Sequence, residues 1–185
     1  MKKKKNLRLL FNILLIIVLV LLQLFDSKEQ TSCLVAGTKI RMGDNTEKNI
    51  EDIKVGDYVL TLNPRTKRTR RTKVLKVIDS YKSAMVSYVF KNGRTVTATQ
   101  DHPFLLNIIG WGSMMPEKTA KKEIYNQVKP IQLNSVFIHL NKRKEVLNDQ
   151  IQRINHLGGS RRVYSISKLS SANSYIANGY VVGVY

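Results

Sequence analysis

The chain has a single cysteine, Cys33, in 185 residues, so an internal disulfide is excluded and the thiol must serve packing, lipidation, an intermolecular bond or chemistry. Acidic residues are also scarce, 13 against 31 Lys and Arg, for a net charge of +18. The three histidines stand in no Cys, Asp or Glu arrangement of metal-ligand spacing, and His139 and His156 fall on predicted strands, so neither a metal nor another cofactor is expected. One long apolar run exists. Residues 9–25, LLFNILLIIVLVLLQLF, hold only Asn12 and Gln23 as polar members and follow Lys2 to Lys5 and Arg8.

That run is a little short for a span of about 20 residues, yet longer than the roughly 7 to 15 of a signal-peptide core. No small-x-small cleavage pattern follows it in LFDSKEQ. Residues 1–25 therefore read as an uncleaved signal anchor forming a hydrophobic helix, with a signal peptide as the other reading and 26–32 as a linker. By the positive-inside rule the basic N-terminus stays cytoplasmic, and the remainder crosses a membrane as the soluble part of a single-pass protein, or is secreted after cleavage.

The excess of basic residues is not confined to the tail. Residues 1–32 carry six Lys/Arg and two Asp/Glu, which leaves 25 basic and 11 acidic residues, a net +14, beyond them. The densest run, NPRTKRTRRTK from Asn63, reads as an exposed hairpin whose Arg65, Lys67, Arg68, Arg70, Arg71 and Lys73 suit an anionic surface. No aromatic residue is interleaved with them, so a specific nucleic-acid site is not expected.

After the linker the pattern is one of short alternating strands broken by Gly/Asn turns. GDN at 43–45, Asn92-Gly93, Gly158-Gly159 and Asn178-Gly179 predict hairpins, and the domain 33–185 reads as all-β. A single helix is expected, starting at Pro116 and running through EKTAKKEIYN, with its acids early and bases late. IKVGDYVL (53–60) and IQLNSVFI (131–138) share apolar positions 1, 3, 7 and 8 around a turn-prone pair, a weak sign of duplication.

Three separated stretches share one pattern. SCLVAGTKIRMGDNTEKNIEDIKVGDYVLTLN, GRTVTATQDHPFL and RVYSISKLSSANSYIANGYVVGV resemble, in order and spacing, the opening, T-x-x-H and closing blocks of Hint domains, the module shared by inteins and Hedgehog processing domains. The resemblance covers about residues 33–184. It implies a flattened β horseshoe of two pseudo-symmetric halves, and for chemistry it implies attack of Cys33 on the carbonyl of Ser32. The resulting N-to-S acyl shift turns the Ser32–Cys33 amide into a thioester that water or another small nucleophile resolves.

On that resemblance His102 is the general acid that protonates the leaving nitrogen, and Thr99 helps hold the scissile bond. Asp101 is a neighbour able to tune His102. Cys33 itself needs a base or electropositive surroundings, because an ordinary thiol ionises near pH 8.5. The closing block departs from splicing inteins. Gly183 stands at the histidine position and Val184 at the asparagine position, so succinimide formation has no reactant, and the chain ends at Tyr185 with no flank to ligate. Ser165 stands where many relatives carry aspartate. The expectation is therefore self-cleavage after Ser32 without protein splicing. Two readings compete with it: lipidation of Cys33, for which QTSC lacks the upstream apolar residue, and a non-catalytic, membrane-tethered basic module that binds an anionic partner.

Overall fold

The computed structural model describes residue 12 and residues 32–107, 109–121, 123–125 and 127–184. The expected signal anchor 1–25, apart from Asn12, and the linker up to Thr31 lie outside the described residues. Among those described, no helix is long and apolar enough to cross a membrane.

Among the described residues fifteen strands, most of them short, form one open, almost wholly antiparallel sheet. On one side lie β4 (Tyr58–Leu62), β5 (Thr69–Lys82), β13 (Arg161–Leu169) and β1 (Leu34–Val35). On the other lie β7 (Thr95–Thr99), β6 (Met85–Phe90), β12 (Val146–Leu157) and β11 (Val136–Leu140). The order β4-β5-β13-β1-β7-β6-β12-β11 reads alike from either end. Each half has a short strand feeding a long one, and each long strand passes its successor across: β6 pairs with β12 and β13 with β5. The path continues from β11 through β8 (Phe104–Leu106), β15 (Tyr180–Gly183), β14 (Ser174–Ala177) and β2 (Lys39–Arg41) to β3 (Glu47–Asn49). A bridge between Met42 and Val59 brings this end back to β4. Among the described residues the one parallel pair joins β9 (Gly110–Ser113) to β10 (Lys129–Pro130).

The internal echo of the sequence maps onto the two short feeder strands. Ile53 and Ile131 are buried, as are Val59-Leu60 and Phe137-Ile138, while the third apolar position is exposed in both copies, Val55 and Leu133. The turn between takes a left-handed residue in each copy, Gly56 at φ +100° and Asn134 at φ +72°. Gly and Asn are the residues that adopt this conformation at least cost. The closing hairpin follows the same logic with Asn178 (φ +48°) and Gly179 (φ +91°), the two left-handed residues that a tight β-turn needs.

The core centres on aromatic residues of β6, β8, β11 and β15. Phe90 stacks on Tyr180 at 4.0 Å, and Phe137 meets Phe90, Phe104 and Tyr88 edge-on or tilted at 5.1–5.8 Å between ring centroids. Such contacts add about 0.5–1.5 kcal/mol per pair beyond the burial of area.

The expected helix is much shorter than EKTAKKEIYN. α1 spans Pro116–Thr119, and a separate single 3-10 turn covers Glu123–Tyr125. The run offers no apolar stripe at helical spacing: Thr119 and Tyr125 are buried, but Ala120 is followed by two lysines and Ile124 is exposed. Without a face to bury, a helix of that length has little to hold it.

Candidate functional site

The centre of the sheet brings three sequence-predicted residues onto one peptide bond. Cys33 directly precedes β1, which is clamped between β7 and β13 with Leu34 opposite Ala98 and Tyr164. Continuing that register, the Cys33 amide N–H donates to Thr99 Oγ1 at 3.0 Å, and the Thr99 N–H donates to the Cys33 carbonyl at 2.9 Å. The hydrogen of the Ser32–Cys33 amide thus points at a hydroxyl from the last residue of β7. Ser32 and Cys33 are both fully buried, with Cys33 packed against Met85 and Val163.

His102 reaches the same bond through a tight turn in which its N–H donates to the Thr99 carbonyl at 3.1 Å. Pro103 follows, which keeps His102 extended and ends the turn. The imidazole is fully buried, 5.4 Å from the Phe104 ring, and neither ring nitrogen has a well-aligned hydrogen bond. Burial drives its pKa down to about 3, opposed by the Ser32 backbone beside it. His102 is therefore neutral at physiological pH. The Asp101 carboxylate is an electrostatic neighbour of Tyr88, whose phenol burial and then that charge push upward, while the Asp101 carbonyl accepts from Thr119 Oγ1 at 2.8 Å.

Two tyrosines complete the site, and neither carried a signal in the sequence. Tyr175, fully buried on β14, is an electrostatic neighbour of the Cys33 thiol, which together with burial holds its phenol protonated. Tyr125, delivered by the 3-10 turn, reaches the other end of the site. Its Oη donates to the Val184 carbonyl at 2.6 Å and lies 3.2 Å from the Asn173 carbonyl. A Cβ added at Gly183 would lie 2.1 Å from Tyr125 Oη and 2.8 Å from Pro103 Cγ. The space beside Gly183, where the resemblance places the histidine of splicing inteins, is thus filled by a tyrosine from elsewhere in the chain.

The remaining histidines lie apart. His139 on β11 is buried beside Tyr180, and burial, then Arg94, lower its pKa to about 4 against the pull of Asp149. His156 sits on β12. Among the described residues no group of His, Cys, Asp and Glu could hold a metal ion. Ser165 is buried in β13. The six cations of the β4–β5 hairpin, Arg65, Lys67, Arg68, Arg70, Arg71 and Lys73, are all exposed.

An open antiparallel sheet with a cysteine opening its first central strand, and with Thr and His from a T-x-x-H turn on the amide before it, defines a Hint-type domain. The chain matches the family model for the intein splicing domain over residues 40–183 and belongs to that family. Solved structures agree on the fold. The DnaB intein from Synechocystis sp. PCC 6803 superposes with a TM-score of 0.67 at 19% identity, covering 84% of this chain and 99% of that one. The bacterial intein-like domain from Clostridium thermocellum gives 0.62 at 24% identity, covering 82% and 97%. A curated relative, the DNA-directed RNA polymerase III subunit rpc2 of Dictyostelium discoideum, is 29% identical over 90 residues. That match takes in 46% of this chain and only 6% of the length of the relative.

Proposed function

We propose that the domain cleaves its own chain after Ser32 through a Cys33 thioester and carries out no C-terminal reaction. The observation that carries this reading is the Cys33 N–H held by Thr99 Oγ1 with a neutral, buried His102 beside Ser32. A neutral imidazole can give a proton only after taking one. In the reading favoured here His102 accepts the Cys33 thiol proton as Sγ attacks the Ser32 carbonyl carbon, then returns that proton to the Cys33 nitrogen as the C–N bond breaks. The product is a Ser32–Sγ thioester with an amine at Cys33. Water attacks the thioester, leaving a Ser32 carboxylate and the Cys33 thiol. No proton is gained or lost over the acyl shift, so a single histidine suffices.

The C-terminal end lacks the reactants of splicing, since Gly183 and Val184 supply neither imidazole nor amide and Tyr125 occupies the space. The apolar residues 9–25 anchor the chain in a membrane, so cleavage separates residues 33–185 from their anchor. The full-length chain and its Cys33→Ala variant, incubated with a thiol or hydroxylamine and weighed intact, test the reading. A product beginning at Cys33, absent from the variant, is expected. Unchanged mass for both sinks the proposal and leaves a tethered, non-catalytic basic module, a reading that the exposed cations of the hairpin favour.

A further inference from the structure

The strand β5 has a long exposed flank that the self-cleavage chemistry does not use. It is 14 residues long, about 46 Å at the usual rise per residue. Its partner β4 covers only Thr69 to Lys73, so the stretch beyond Val74 lies at an edge of the sheet. Leu75, Val77 and Tyr81 are exposed there, Tyr81 at 69%. At the other end the hairpin turn exposes Arg65, Lys67 and Arg68, and Arg71 lies over the ring of the exposed Tyr58 at 5.0 Å. Among the described residues, no carboxylate forms an ion pair with any of the six hairpin cations. Cations interspersed with exposed aliphatic side chains and tyrosines suit the boundary of an anionic bilayer, where the charges meet headgroups and Tyr sits at headgroup depth. Register irregularities where β5 pairs with β13, and the lysines Lys76 and Lys82 on β5, disfavour pairing of the open edge with another strand.

We propose that β5 and its basic hairpin lie on the anionic surface of the bilayer in which residues 9–25 are anchored. The inference rests on the anchoring reading above. Its geometric support is the position of the tether. Leu34 pairs with Tyr164 and Tyr164 with Asp79, so the chain enters the domain only two strands, about 10 Å, from the Tyr81 end of β5. The seven residues 26–32 span at most about 25 Å. From that entry point β5 runs toward the hairpin. After cleavage the same surface keeps the released domain at the membrane until salt displaces it.

The test uses full-length Cys33→Ala, which stays joined to its anchor, with a polarity-sensitive fluorophore on a cysteine introduced by Thr66→Cys, Tyr81→Cys or, as control, Leu147→Cys on β12. Each chain is reconstituted in phosphatidylcholine vesicles with or without phosphatidylglycerol. Blue-shifted emission at 66 and 81 but not 147, only with the anionic lipid, is expected. Raising salt from about 0.1 M to about 1 M should abolish it, as the screening length falls from about 10 to about 3 Å. Arg65→Ser with Arg68→Ser should lower the ratio of bound to unbound hairpin by about twenty-fivefold, since each basic residue near such a surface is worth about fivefold. Equal emission in both lipids, or an equal shift at all three positions, overturns the proposal, as does a stronger shift with soluble heparin than with vesicles. Flotation with pure phosphatidylcholine at high salt reads the anchor separately. If the chain fails to float there, the anchoring reading falls, and lack of flotation on anionic vesicles would then sink the surface as well.

Discussion

The two ends of the site meet at one dipeptide and are built in opposite ways. His102 faces the Ser32–Cys33 bond, and the next residue, Pro103, accepts a hydrogen bond from the Gly183 N–H at 2.9 Å. At the first end a thiol, a hydroxyl and an imidazole gather around a buried amide. At the second a glycine stands with a phenol packed against it, and that phenol donates to the Val184 carbonyl, which ties the 3-10 turn to the end of β15. One fold thus carries the end proposed above to be reactive and a closed end beside it. What separates them is the side chains placed on a shared backbone.

The largest effect should come from the reactive end. His102→Gln keeps a polar side chain of similar reach but cannot relay the proton, so the cleavage rate should fall by about 10²–10⁴-fold. Time courses of intact mass check this, and wild-type rates from the variant would remove His102 from the mechanism. The same substitution tests the charge state. With a folded pKa near 3 against an unfolded value near 6.5, the unfolded chain binds the extra proton first. Stability supported by neutral His102 is thus complete above about pH 6.5 and lost progressively toward pH 3. His139, at about 4, contributes to the same slope. Thermal unfolding should show a weaker loss of melting temperature with acid in His102→Gln than in wild type, and equal slopes would place His102 in a wetter environment.

The closed end gives the next largest effect, on stability. Gly183→His must displace Tyr125 Oη and Pro103 Cγ, so it should destabilise by about 1–3 kcal/mol as overpacking does. No C-terminal cleavage should follow. Adding Tyr125→Ala empties that space, and the double variant should be more stable than the sum of the singles by about 0.5–3 kcal/mol. Denaturant titrations of the four chains measure the coupling. Strict additivity would show that Tyr125 does not fill the histidine position.

The reactive end was legible in the sequence and the closed end only by what it lacks. Cys33, Thr99 and His102 lie in stretches whose spacing points to one another, and β-pairing brings them together because Thr99 ends a strand directly opposite Cys33. Gly183 and Val184 announced a missing imidazole and amide, but nothing announced Tyr125. It sits 58 residues before Gly183 in a run that reads as a helix, and its placement depends on that helix failing after one turn. Tyr175 was hidden for a related reason. An aromatic residue in a buried strand looks like core, and only the fold brings it beside the Cys33 thiol. The turns were the most readable part, since Gly56, Asn134 and the Asn178-Gly179 pair are needed for local backbone reasons that no distant contact overrides. The pairing of β5 with β13 and of β12 with β6 is the opposite case: the long strands are visible, but which partner each takes is set by the exchange between halves.

The smallest effect expected is at Thr99, where the two roles of one hydroxyl can be separated. Thr99→Val removes the acceptor for the Cys33 N–H and leaves that buried donor unpaired, which should cost about 1–3 kcal/mol of stability. The cleavage rate should fall by about tenfold, the equivalent of about 1.4 kcal/mol in the barrier, because the amide loses the contact that orients it toward His102. Thr99→Ser keeps the oxygen and should restore the rate even where the lost methyl group leaves some destabilisation. A hydroxyl that mattered only for folding would instead give Val and Ser variants whose rates, measured well below their melting temperatures, equal that of the wild type. That outcome would reduce the reactive end to a thiol and an imidazole, and sharpen its contrast with the tyrosine-filled end to the presence of two groups rather than three.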